Sequence, residues 1–159
     1  MKDSIEHMFG QRNGRAERFD VAYRVAAARR DPAELWALLA SPAQWSRWAP
    51  HIRGATSTVG ATTVTAGDTV RIEGWGPLRV TTTITRVDPG SRWDFSVDLP
   101  AGHRLVAAHE VATAPPAVQV RMALRGPAPR PVGVTLLAAY RPLAVLALHR
   151  LVSLAGERP

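Results

Sequence analysis

Val132–Ala155 reads VGVTLLAAYRPLAVLALHRLVSLA, and what this stretch packs against decides the fold. As one helix its 24 residues are roughly 36 Å long at about 1.5 Å per residue. On a helical wheel, Gly133, Leu136, Leu137, Tyr140, Ala144, Ala147, Leu148, Leu151, Leu154 and Ala155 share one arc. Thr135, Arg141, Pro142, His149, Arg150 and Ser153 share the other, with Val145, Leu146 and Val152 among them. An apolar stripe this wide must be buried against something large, and the rest of the chain offers a sheet. Pro142 removes one helical hydrogen bond and crowds the preceding turn, so a kink is expected near Tyr140 and Arg141. Gly156 is a stop signal. The rival reading is a membrane span. It would put Arg141 and Arg150 in the apolar layer at about 2.5–3.5 kcal/mol each near its centre, and it is set aside.

Upstream, Arg18–Ala28 alternates, with Phe19, Val21, Tyr23 and Val25 on one side, and reads as a first strand. Asp31-Pro32-Ala33-Glu34 is a helix start: Asp caps the first-turn amides, Pro suits the first position and Glu34 can reach back. Ser41-Pro42-Ala43-Gln44 repeats this grammar and starts a second short helix carrying Trp45 and Trp48, which Pro50 ends. From there to Pro127 the chain reads as strand and turn. His51–Gly60 and Thr62–Thr65 are rich in Thr and Val, and Thr69–Trp75, Leu78–Val87 and Trp93–Asp98 follow; Gly74-Trp75-Gly76-Pro77 reads as a turn, with Trp75 open to strand or turn. His103–Thr113 and Ala117–Arg125 complete the series. Asp88-Pro89-Gly90, Pro100-Ala101-Gly102 and Pro115-Pro116 supply turns, and such short connections favour an antiparallel meander. One strand, two helices, about six strands and one long helix make an α+β protein, with helices segregated to one side of a curved sheet.

A chain of 159 residues is one ordinary domain with room for a core. Residues 1–17 are polar, without sustained period, and are expected to be a flexible extension to a single domain over 18–159. The N-terminus has no apolar signal region, so a cytoplasmic location is the default expectation. The absence of cysteine excludes disulfides, a thiolate nucleophile and zinc–thiolate sites. The net charge of +7 is carried mostly by singly scattered arginines, with no basic run longer than Arg29-Arg30. That scatter argues against a nucleic-acid interface.

Several stretches resemble the SRPBCC superfamily, which includes START domains, plant pathogenesis-related allergens and polyketide cyclases/dehydrases. They are DPAELWALLASPAQWSRWAPHI, TTTITRVDPGSRWDFSV, the His109-Glu110-Val111 run and Arg125-Gly126-Pro127. The resemblance covers roughly residues 19 to 155. It implies a helix-grip fold, in which a curved antiparallel sheet of about six to seven strands wraps the long C-terminal helix around an apolar cavity. Members bind lipids, hormones or polyketides, and some catalyse cyclisation, aromatisation or dehydration. The proline-rich PAPRP run and Pro142 depart from a smooth helix.

No G-x-S-x-G, P-loop, HExxH or complete dinucleotide fingerprint is present. No cofactor or metal is expected. His103 and His109 would lie roughly 20 Å apart along one strand at about 3.3 Å per residue. Any chemistry should then be acid–base work on an apolar substrate.

The apolar alternation assigns the inner face. It includes Val70, Ile72, Val80, Thr82, Ile84, Trp93, Phe95, Val97, Leu105, Ala107, His109, Val111, Val118, Val120, Met122 and Leu124. His109 is the one ionisable residue among them. Burial should keep it neutral and available as a base, unless it is a core histidine bonded to its surroundings. Tyr140, on the sheet-facing arc, could hydrogen-bond a ligand carbonyl or simply cover the cavity end. These two are the catalytic candidates. Trp36, Trp48, Ile72, Thr82, Trp93, Phe95, Leu105, Val120, Met122, Leu137 and Ala144 are the expected substrate-lining residues. The function expected is binding of a polyketide-like or polycyclic molecule with cyclisation or dehydration, the alternative being a non-catalytic carrier. A third reading is a basic adaptor for acidic lipid or a partner chain. The expected partner is thus a hydrophobic small molecule, without nucleic acid or stable membrane insertion, and a homodimer is compatible with all of this.

Overall fold

The computed structural model describes residues 18–28, 30–98, 104–127 and 130–156, with side chains described for all of these but 18–20, 28, 127 and 130–137. Strand β1 (Arg18–Ala28) is followed by helix α1 (Pro32–Ala40), a 3-10 turn (Pro42–Gln44) and the one-turn helix α2 (Trp45–Trp48). Strands β2 (Ile52–Ser57), β3 (Thr69–Gly74), β4 (Arg79–Asp88), β5 (Arg92–Asp98), β6 (Arg104–Ala114) and β7 (Ala117–Pro127) precede helix α3 (Arg130–Leu154).

The caps explain the start of the helical segment. Asp31 accepts a hydrogen bond from the Ala33 amide at 2.9 Å, with Pro32 at the first helical position. Ser41 differs from the expectation: its side chain makes no cap, and the chain takes a 3-10 turn before α2. The Trp45 and Trp48 indoles bond back to α1, donating to the Leu39 and Leu38 carbonyls at 3.0 and 3.1 Å.

All seven strands form one antiparallel sheet in the order β1-β7-β6-β5-β4-β3-β2. Register shifts between Ile52 and Gly54 and between Ile84 and Arg86 bend it. Of the expected inner face, Val70, Thr82, Ile84, Trp93, Ala107, His109, Val111, Val118, Val120, Met122 and Leu124 are buried and Ile72, Val80, Phe95, Val97 and Leu105 half-buried, while in β5 the polar Asp94 and Ser96 of the other face are buried as well. The opposite face carries a charge lattice. Arg92 grips Asp94 through two 2.8 Å bonds and reaches Glu110 at 2.9 Å, and Glu110 also accepts from Arg121 at 2.9 Å.

Thr62–Thr65, read as strand, is a loop instead. The buried Val64 is the reason, because its amide donates to the Ala40 carbonyl at 2.8 Å, tying the segment to the helices rather than to the sheet. Trp75 falls outside β3, in the β3–β4 turn. The readings for residues 1–17, for Pro100-Ala101-Gly102 and for His103 lie outside the described residues.

Helix α3 begins at Arg130, two residues before the expected start, and runs through Pro142 without interruption. It packs on β1, β7, α1 and α2. Ala144, Ala147, Leu148, Leu151 and Ala155 are buried, whereas Arg141, Pro142, Leu146, Arg150 and Ser153 face outward. The wheel reading of the described side chains therefore holds. Among the described residues, no helix is long and apolar enough to cross a membrane. Leu148→Ala should cost about 2–5 kcal/mol in urea denaturation, against less than about 0.5 kcal/mol for the exposed Leu146→Ala.

Candidate ligand-binding site

The centre of the inner face is a set of near-parallel rings. Trp93 on β5 stacks on Trp45 of α2 with centroids 5.0 Å apart and planes 5° from parallel. It stacks on His109 of β6 at 4.1 Å and 9°. Trp93 and His109 are register partners on adjacent strands, which sets this spacing. Phe95 lies 5.6 Å from the imidazole and 5.7 Å from Trp93.

His109 is only 5% exposed, and burial holds its imidazolium down at about 3 despite the opposing field of Asp94. It is neutral at physiological pH, as expected, but such an imidazole is a weak base. His51, just after α2, was missed as a site residue because it reads as an ordinary residue at the start of a strand. Its ring meets Tyr140 edge-on at 5.9 Å, and its charge, if present, would oppose protonation of His109. Burial lowers the His51 pKa too, but this side chain is half-buried. Tyr140 is half-buried, and desolvation followed by the field of Tyr23 pushes its hydroxyl up to about 12, so it remains an O–H donor. Tyr23, on the inner face of β1, is raised by burial and lowered by Arg141.

Among the described residues, three buried polar atoms here meet no partner: His109 Nδ1, His51 Nδ1 and Trp93 Nε1. Each such group costs about 1–3 kcal/mol unless something bonds it. The indole N–H can only donate, whereas each neutral imidazole has one donor and one acceptor nitrogen.

The expected lining residues divide. Trp48, Trp93, Val120, Met122 and Ala144 are core residues, with Trp36, Ile72, Phe95 and Tyr140 packed against them. Thr82 is buried, but its hydroxyl already donates to the Val70 carbonyl at 3.3 Å. Leu105 is half-buried beside its register partner Val97, and the Leu137 side chain lies outside the described residues. Trp45, not among the expected lining residues, joins the stack. Among the described residues, no three of His, Asp and Glu gather to hold a metal.

A sequence profile described as polyketide cyclase / dehydrase and lipid transport matches residues 18–156. The chain belongs to this family. No curated protein sequence matches it. Norcoclaurine synthase from Thalictrum flavum superposes with a TM-score of 0.64 at 10% identity, covering 94% of this chain and 100% of that one. Major latex-like protein 151 from Panax ginseng gives 0.65 at 13%, covering 86% and 96%. A Thermobifida fusca protein gives 0.68 at 19%, covering 87% and 93%. These likenesses establish the Bet v1/START-like fold, consistent with the family's hydrophobic ligand-binding architecture.

The buried imidazole links pH to stability. Below about 6.5 the unfolded chain takes up a proton that folded His109 refuses until about 3. Stability is therefore lost as pH falls through this window, by up to about 1.4 kcal/mol per pH unit for this one group. His109→Phe keeps a ring in the stack and removes that contribution. In urea unfolding from pH 7 to 4, its stability relative to wild type should rise as the pH falls.

Proposed function

We propose that the protein binds a hydrophobic, polyketide-like or polycyclic molecule on the inner face and catalyses its cyclisation or dehydration. The observation carrying this reading is a set of three buried polar atoms without partners among the described residues, Trp93 Nε1 and His109 Nδ1 within the stacked rings and His51 Nδ1 on the ring that meets Tyr140. Phe95, half-buried beside the stack, offers an apolar ligand dispersion contact, and isolated hydrogen-bonding groups fix where its oxygens go. A ligand carbonyl would suit the Trp93 N–H, and a hydroxyl would suit either imidazole.

The groups divide the work by basicity. His109, too weakly basic to hold a proton at neutral pH, serves as a hydrogen-bonding and orienting group. His51, less deeply buried, is the better proton acceptor. In a dehydration it would take the proton α to a carbonyl while the Tyr140 O–H stabilises the enolate oxygen. The returning electron pair then expels the β-hydroxyl, which leaves as water with the proton from His51. A cyclisation uses the same enolate with a second ligand carbonyl as electrophile. The family places apolar ligand binding in this fold, and the catalytic step is inferred from the site alone.

The carrier reading keeps one observation in its favour: a neutral His109 stacked on Trp93 recognises a ligand without turning it over. Native mass spectrometry of protein purified from its own cells should show one apolar molecule per chain, displaced by Val120→Phe. Protein that arrives empty and takes up no apolar probe would overturn both readings. With a β-hydroxy-carbonyl ligand, loss of water should slow by about 100-fold or more in His51→Ala and Tyr140→Phe while the ligand stays bound. Binding without loss of water in the wild type would leave the carrier.

A further inference from the structure

The β3–β4 turn presents a feature that the interior site does not use. Trp75 is 68% exposed and Leu78 is 53% exposed, with Gly76 and Pro77 exposed between them. An indole this open usually has freedom to turn, but this one is pinned. Its Nε1–H donates to the Pro50 carbonyl at 2.6 Å, and the Arg53 guanidinium sits 5.8 Å over the ring. The turn is itself closed by the Gly74 amide donating to the Leu78 carbonyl at 2.8 Å, with Gly76 at φ 66°. A Cβ on Gly74 would lie 2.7 Å from a Leu78 methyl, so the Leu78 side chain folds back over the hairpin.

With its one polar atom bonded inside the protein, Trp75 offers solvent only apolar and π surface. We propose that this tip, Trp75 to Leu78, is a docking surface for an anionic lipid bilayer. Indole rings settle at the level of lipid headgroups, and a ring fixed in advance loses little conformational freedom on docking. The charges fit this partner. Arg53 and Arg79 flank the tip, and both are exposed. Glu73, the register partner of Arg79, is the single carboxylate in the stretch from Glu73 to Arg79. The whole chain, at +7, is drawn to a negative surface. Four exposed residues, Trp75 to Leu78, give peripheral attachment, without insertion. The hydrogen bond from Trp75 ends on the residue before His51, so the docked tip shares a short segment with the interior site.

The test is co-sedimentation of the full chain with phosphatidylcholine vesicles containing about 30% phosphatidylserine, at low and high salt. Wild type should bind at low salt and release at high salt. Trp75→Ser should weaken binding by about tenfold, and Arg53→Gln with Arg79→Gln should weaken it only on the anionic vesicles. Trp75→Phe keeps an aromatic face but loses the bond to Pro50, and should bind less tightly than wild type and more tightly than Trp75→Ser. Circular dichroism should show all variants folded. Absence of vesicle binding in the wild type would overturn the proposal, as would equal binding by Trp75→Ser. Equal loss in Trp75→Phe and Trp75→Ser would also overturn it, by reducing the indole to a structural bond. A dimer that dissociates in Trp75→Ser, with no vesicle binding, would reassign the surface to a second copy.

Discussion

The indole N–H bonds from Trp45 and Trp48 to the last carbonyls of α1 hold the rest of the arrangement in place. A helix leaves its final carbonyls without intrahelical partners, and here two side chains from the next element satisfy two of them. Those bonds fold α2 back onto α1 and orient the Trp45 ring toward the sheet. Trp45 then meets Trp93 face to face, and the register between β5 and β6 brings His109 onto Trp93. A polar detail at a helix end thus becomes the aromatic wall around a buried imidazole.

The two faces of the sheet solve opposite electrostatic problems. Outside, Arg92, Asp94, Glu110 and Arg121 are bonded to one another, and all but the buried Asp94 are partly wet, so their charges are offset. Inside, the imidazole has no ion pair to offset burial, and it relinquishes its proton. Asp94 and His109 sit on neighbouring strands yet face opposite ways. That is why the carboxylate only opposes the desolvation and does not cancel it. One period of alternation separates a salt lattice from a buried imidazole.

The fold was legible to a large degree because its signals are local. The Asp31-Pro32 cap, the alternation of β1 and β5, the Asp88-Pro89-Gly90 turn and the sidedness of α3 each depend on residues within a few positions of one another. His109 was legible for the same reason, as a lone ionisable group in an apolar alternation. Thr62–Thr65 was misjudged because β-branched composition also suits a loop when one valine is pulled into the core. His51 escaped notice because its importance comes from Tyr140 on α3 and His109 on β6, both far away in the chain.

Sequence by itself determined the order of elements, the side of each strand that faces inward and the family. Those follow from periodicity and capping, which act over one or two turns or a few strand residues. Only the tertiary structure decided which buried groups meet. It paired His51 with Tyr140, stacked His109 on Trp93, and pinned Trp75 to the Pro50 carbonyl across 25 positions of sequence. The basicity of each imidazole was decided there as well, because desolvation depends on everything packed around the ring and not on the chain beside it.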